Sequence, residues 1–210
     1  MNGKQEMGTI IFVNNRMCVE CISFCTKMCH NVRKRIGRKE IDNMNKIYDK
    51  VKECYKQVNE MTEFKPQIAL VLGSGLGDYA EKIKIETVID YHEIKGFPVS
   101  TVQGHKGRFV LGYVEDIPVM IMEGRVHYYE GYSMSDVVLP IRLMKMMGAE
   151  ILFLTNASGG IHRGFEAGDF MMITDQIASF VPSPLIGPNI EEFGERFPDM
   201  SHIYDEELQE

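Results

Sequence analysis

The sequence predicts an α/β protein built on a mixed, largely parallel twisted sheet flanked by helices. Three observations predict it. Ile68–Leu72 is a short apolar run, IALVL, that ends in Gly73-Ser74-Gly75-Leu76-Gly77, as a parallel strand covered on both faces does. Further apolar runs at 151–155 and 170–174 alternate with segments of helical period, the order expected of a parallel sheet with helical crossovers. Arg108–Val114 and residues 117–122 are β-rich and separated by Glu115-Asp116. That pattern reads as a hairpin and makes the sheet mixed.

Residues 1–43 differ in character from the rest of the chain and read as an extension of uncertain structure. They hold Cys18, Cys21, Cys25, Cys29 and His30, then a basic run of Arg33, Lys34, Arg35, Arg38 and Lys39. The cysteine cluster suits zinc or an iron–sulfur group, yet it lacks a second, separated pair. A disordered or loosely helical extension is the plainer reading, consistent with translation starting upstream of Met44. From Met44 the pattern changes. Ile47, Val51, Cys54, Val58 and Met61 form one apolar stripe of a helix, and Lys65-Pro66 ends the approach to the first core strand.

Beyond the glycine turn, residues 76–83 read as a short helix and 84–91 as a strand. Residues 92–98 form a loop, and Gly104-His105-Lys106-Gly107 is a second glycine-bracketed turn. The hairpin runs into Glu123-Gly124-Arg125-Val126-His127-Tyr128-Tyr129-Glu130-Gly131, a density of polar and aromatic groups that marks a site. Ser133-x-x-Asp136 fits a capping box. Val137, Ile141, Met144 and Met147 give the helix an inward face, Pro140 predicts a kink, and Gly148 predicts the stop. The strand at 151–155 ends in Asn156-Ala157-Ser158-Gly159-Gly160, read as a small-residue turn. A proline-rich loop comes next at 182–188, and residues 204–210 look like the start of a helix.

The chain has 210 residues, 44% of them hydrophobic and 25% charged, with net charge −7. That is enough for one domain with a substantial core. The acidic balance argues against a general nucleic-acid binder. It leaves a small anionic substrate open, since local field outweighs net charge. No apolar run is long enough to span a bilayer, and Ile10 to Val13 is too short for a signal-peptide core. The expected location is the cytoplasm. The five cysteines, an odd number, do not suggest a disulfide framework in that compartment.

Ligands in open α/β sheets bind beyond the carboxyl ends of strands. Turns 73–77, 124–131 and 156–160 sit at such ends and are expected to converge on one pocket. Turn 73–77 is G-x-G-x-G, which fits neither a dinucleotide fingerprint nor a nucleotide P-loop. It reads either as a tight structural turn or as an anion cradle of N–H groups with the Ser74 hydroxyl. Arg125 and His127 lie two apart and face one side of an extended segment. They either share an anion or are a surface arginine beside a satisfied histidine. Tyr129 continues that face, against a sugar or as a packing residue. Asn156 and Ser158 are capping groups, or the Ala157 N–H donates to an oxyanion. No protein nucleophile with recognisable spacing is present, so a bound phosphate is itself a candidate attacking group.

Taken together, VLGSGLG, STVQGHKGR, EGRVHYYEGY, TNASGG and GPNIEEFGERFPDMSHIYD resemble the trimeric class of purine nucleoside phosphorylases. The match runs from about Met44 to the last residue, in the family's order. The resemblance implies phosphorolysis of purine ribonucleosides and deoxyribonucleosides to free base and (deoxy)ribose 1-phosphate. It implies no metal and no organic cofactor, inorganic phosphate being a co-substrate. Nucleic acid and membrane are not expected partners, and a full-length chain is expected to be a homotrimer. Phosphate-site positions carried over are Ser74, His105, Arg125, His127 and the backbone at Ala157. Arg125 and His127 are the catalytic candidates, and Tyr129 matches a ribose neighbour.

The same resemblance makes 44–210 the N-terminal two-thirds of a phosphorylase domain, incomplete at the C-terminus. The family's base-recognising acid and a further phosphate-binding serine have no positions here. Asp175-Gln176-Ile177-Ala178 departs from the family's usual Asp-His-Ile-Asn. Two alternatives stand beside the enzyme. One is an inactive phosphorylase-fold protein that binds phosphate or partner subunits. The other is a metal-binding module in residues 1–43 attached to an α/β domain.

Overall fold

A computed structural model describes the backbone of residues 6–13, 38–100, 106–179 and 181–210, with side chains from residue 46 onward. Seven strands form one mixed sheet: β1 (Glu6–Val13), β2 (Ile68–Leu72), β3 (Lys84–Asp90), β4 (Arg108–Val114), β5 (Ile117–Glu123), β6 (Ile151–Gly159) and β7 (Phe170–Met172). Their order is β3-β4-β5-β2-β6-β1-β7. The centre is parallel, with β2 between β5 and β6. β3-β4-β5 is an antiparallel meander, and β1 lies antiparallel to β6 and parallel to β7. Three α-helices accompany the sheet among the described residues: α1 (Arg38–Met61), α2 (Met134–Val137) and α3 (Leu139–Met147).

Strand periodicity sorts side chains onto the two faces of the sheet. Ala69, Val71, Phe109, Leu111, Met120 and Met122 point to the face covered by α1 and α3, where they meet Val51, Cys54, Val58, Leu143 and Met147. Leu72, Val110, Val119 and Ile121 point the other way and pack with Ala80. The helix stripe therefore forms through Val51, Cys54 and Val58, each fully buried, while Met61 at its end stays 44% exposed. α1 also starts at Arg38 rather than Met44.

Local chemistry explains the remaining boundaries. Segment 76–83 forms a 3-10 turn, Gly77–Glu81, in place of a longer helix. β3 stops at Asp90, whose side chain accepts the His92 N–H and opens the 3-10 turn Tyr91–Glu93. The expected kink at Pro140 is a full break. α2 ends at Val137, and α3 begins with the proline in its first turn, where its missing N–H costs nothing. Ser133 caps α2 by accepting the Asp136 N–H. Gly148 ends α3 at φ 119°, in the left-handed region where a side chain is strained. Residues 204–210 form a 3-10 turn, Glu207–Gln209, and not a longer helix.

The largest departure from the sequence pattern concerns 156–160. The small residues predict a turn, yet β6 continues through Gly159. β2 pairs with β6 only as far as Leu154. Beyond that point β1 supplies the partner, with Thr9 opposite Asn156 and Gly8 opposite Ala157. A small-residue segment becomes strand when a second backbone satisfies its ladder. Residues 6–13, which by sequence belong to a loosely structured extension, thus hold a place inside the sheet.

Cys18, Cys21, Cys25, Cys29 and His30 lie outside the described residues, as do Arg33, Lys34 and Arg35. No group of His, Cys, Asp or Glu among the described residues is arranged to hold a metal ion. No helix among them is long and apolar enough to cross a membrane.

Candidate functional site

The parallel centre β5-β2-β6 brings three strand ends side by side. Glycine is required at position 73, where the turn meets β6 most closely: a Cβ there would lie 2.6 Å from Asn156 Cα and 2.8 Å from the Thr155 carbonyl oxygen. The Gly73 N–H donates to Thr155 Oγ1 at 2.8 Å, and that hydroxyl donates on to the Val71 carbonyl at 3.0 Å. Buried Thr155 thereby welds the start of the glycine turn to β6. Ser74 sits next along, on the exposed corner of the turn.

Arg125 completes the junction from β5. Its Nη1 donates to the Leu72 carbonyl at 3.3 Å and to the Thr155 carbonyl at 3.2 Å, so one guanidinium nitrogen spans the ends of β2 and β6. Burial pushes its pKa below the ordinary arginine value, with Tyr129 opposing that shift. No carboxylate pairs with it among the described residues. A guanidinium has five N–H donors in a fixed fork. Two carbonyls engage Nη1 and hold the rest of the fork in place, without an anion from the described residues.

Val126 is buried at 3% exposure, while Arg125 and His127 on either side are half-buried. This is the alternation expected of extended chain. His127 is fixed by Glu130: Nδ1 lies 2.9 Å from Glu130 Oε1, and the His127 backbone N–H donates to the same oxygen at 2.8 Å. A carboxylate only accepts, so Nδ1 is the protonated nitrogen of this pair. Ser100 Oγ reaches the Glu130 carboxylate as well, at 3.2 Å.

Tyr129 reaches the site by a different route from the one the spacing suggests. The extended segment stops at His127, and Tyr128–Glu130 is a 3-10 turn, so the i, i+2 alternation ends there. The Tyr129 ring instead stacks on the His127 imidazole, centroids 4.8 Å apart at 18°, and remains 75% exposed. Ala157 lies within β6 opposite Gly8, two residues past the Thr155 carbonyl that holds Arg125. His105 lies outside the described residues. Thr155 is not marked as a site residue by the sequence pattern, and Glu130 is marked only as part of the polar stretch 123–131. Glu130 had a signal, since a glutamate three residues after a capping position is the capping-box spacing. Thr155 had none, because its partners are more than 80 residues away.

The sequence and the fold have parallels among known proteins. The profile of the Phosphorylase superfamily matches residues 67–210. Purine nucleoside phosphorylase 1 of Bacillus subtilis is 48% identical over 160 residues, 76% of this chain and 59% of its own. The mouse purine nucleoside phosphorylase is 45% identical over 166 residues, 78% of this chain and 57% of its own. Among solved structures, isoform 2 of Schistosoma mansoni purine nucleoside phosphorylase, in complex with cytosine and ribose-1-phosphate, superposes with a TM-score of 0.70 at 42% identity. That match covers 77% of this chain and 58% of the Schistosoma chain. The chain thus spans a little under three-fifths of these curated relatives' length. With a family profile covering well over half of its residues, and a mixed sheet that superposes on that of a solved relative, the chain belongs to the phosphorylase superfamily.

Proposed function

We propose that the strand ends bind inorganic phosphate and that the chain works as a purine nucleoside phosphorylase. In that reaction purine ribonucleosides and deoxyribonucleosides yield free base and (deoxy)ribose 1-phosphate, a step of purine salvage. One observation carries the reading: Arg125 is half-buried at the meeting point of three strand ends, pinned by two carbonyls and paired with no acid among the described residues. A desolvated cation without its counter-ion is a mark of a ligand site. The relatives support the choice of anion, since the Schistosoma neighbour holds ribose-1-phosphate and another is complexed with inosine.

In this reading Ser74, Arg125, His127, His105 and the Ala157 N–H surround the phosphate, and Tyr129 lies against the ribose. The glycosidic C–N bond breaks with its electron pair leaving on the purine. Positive charge builds on the sugar, and a phosphate oxygen bonds the anomeric carbon. A dianion fixed beside that carbon both stabilises the charge and attacks. Preorganised electrostatics of this kind is commonly the largest catalytic contribution. No metal or organic cofactor has a role. A chain of the relatives' full length is read as a cytoplasmic homotrimer.

Incubating the chain with inosine or guanosine tests this directly. Base release that requires phosphate is the expected result, and release without phosphate would contradict it. Arg125→Ala is expected to lose about 100-fold or more in rate.

A second reading is favoured by the chain's coverage of its relatives, 59% of the Bacillus protein. In it the chain holds phosphate without turning nucleoside over. Phosphate binding with no base release from inosine or guanosine would select it.

A further inference from the structure

Two acids and two bases interlock beside the candidate site. Glu123, the last residue of β5, is only 4% exposed. Its carboxylate accepts from Arg108 Nε at 2.7 Å and lies 3.1 Å from Lys106 Nζ. Lys106 also donates to Glu81 at 2.5 Å, and Arg108 Nη2 lies 3.8 Å from the same Glu81 oxygen. Glu81 ends the 3-10 turn that leaves the glycine turn, and a Cβ on Gly77 would lie 3.3 Å from Glu123 Oε1. The strand end is held by backbone too. Gly107 N–H donates to the Glu123 carbonyl at 3.0 Å, and the buried Tyr91 hydroxyl donates to the Gly124 carbonyl at 2.9 Å. Arg125 is the next residue along.

We propose that Glu123 and Glu81, bridged by Lys106 and Arg108, are positioning residues that lock the 73–81 turn against the strand end carrying Arg125. The proposal rests on reading that junction as a phosphate site. Ordinary surface ion pairs contribute little, but this one joins a buried carboxylate to the last residue of the 3-10 turn that follows the candidate anion cradle. Glu123 is two residues from Arg125, so its negative charge by field alone disfavours a nearby anion. Its neutralisation by Lys106 and Arg108 leaves the geometric constraint and removes most of the opposing field. Lys106 is held above its usual pKa by Glu81 first and Glu123 second, so its ammonium stays charged at neutral pH.

The opposing signs of field and geometry make the test sharp. Inorganic phosphate is titrated into the 210-residue chain at fixed ionic strength, followed by calorimetry or phosphorus NMR. The series contains the parent, Arg125→Ala, Glu81→Ala and Glu123→Gln. Glu81 has a 58% exposed side chain, so its variant keeps the fold even if Glu123→Gln does not. Each acid variant is expected to weaken phosphate binding about 3- to 10-fold, the range for residues that act through a neighbour. Lys106→Met is expected to weaken it similarly and Lys106→Arg to restore it. Combining Glu81→Ala with Lys106→Met is expected to add little, because the two share one link. Unchanged or tighter binding in Glu81→Ala, with Arg125→Ala weakened, would overturn the positioning role alone. Identical behaviour of the parent and Arg125→Ala, including no binding by either, would remove the phosphate site and the brace with it.

Discussion

Thr155 ties the glycine turn to β6 with one hydroxyl used twice, accepting from Gly73 N–H and donating to the Val71 carbonyl. Its side chain is buried, so nothing from solvent replaces it. Thr155→Val, which keeps the shape, is expected to cost about 1–3 kcal/mol by leaving the Gly73 N–H unpaired. Urea unfolding measures that loss. Gly73→Ala acts on the same contact from the other side. The added carbon meets backbone rather than a flexible side chain, 2.6 Å from Asn156 Cα, so the turn must move away from β6. Overpacking of this kind typically costs about 1–3 kcal/mol, and weaker phosphate binding is expected to accompany the lower stability.

The β4–β5 hairpin and the α1–α2 contact show how single elements are joined. A two-residue loop, Glu115-Asp116, connects Val114 to its partner Ile117, and Glu115 has φ 54°. Hairpin turns with a positive φ at the first central residue favour glycine there. Glu115→Gly is expected to stabilise the chain by about 0.5–1 kcal/mol, read as a higher midpoint of thermal unfolding. Across the helices, Lys50 donates to Asp136 at 2.6 Å, fastening α1 to the first turn of α2. Burial by itself would raise the Asp136 carboxyl, but the hydrogen bonds from Lys50 and Ser133 outweigh it and hold the group below its ordinary 3.8. A depressed folded pKa contributes fully above the unfolded value and is lost as pH falls through the folded one. The link therefore supports the fold above about pH 4 and fades in more acidic solution. Both side chains are partly exposed, so Asp136→Asn is expected to cost only about 0.5–1 kcal/mol near neutrality. That difference from the parent is expected to vanish on acidification, as unfolding curves at stepwise lower pH will show.

At the scale of the molecule, the sheet is continuous because β1 lies between β6 and β7. It pairs with β6 from Glu6 opposite Gly159 to Val13 opposite Leu152, and it is the strand against which the short β7 is laid. Without it, the outer edge of β6 presents unpaired N–H and C=O groups, a template for association between chains. Removing residues 1–13 is expected to speed amide hydrogen exchange across 152–159 and to leave exchange in β4 and β5 unchanged. Mass-spectrometric exchange on both chains checks this, and equal protection of 152–159 would show that the β1 ladder carries no stability.

Much of this is legible in the residues because period and punctuation are local properties. Ile68–Leu72 with its glycines, the alternating hairpin and the Ser133 cap each carry their instruction within a few positions. Arg125 and His127 are legible as a pair for the same reason. Other features depend on distant partners. Asn156 to Gly159 are strand only because β1 comes back to meet them. Tyr129 lies against His127 by ring stacking after the extended chain has ended. The contacts that hold Arg125 form only where Leu72 and Thr155, 53 and 30 residues away in sequence, offer their carbonyls to its guanidinium. Short-range sterics and hydrophobic alternation are written into neighbouring residues and determine the elements. Which carbonyl meets which cation is decided by packing the sheet, since no local energy links groups so far apart along the chain.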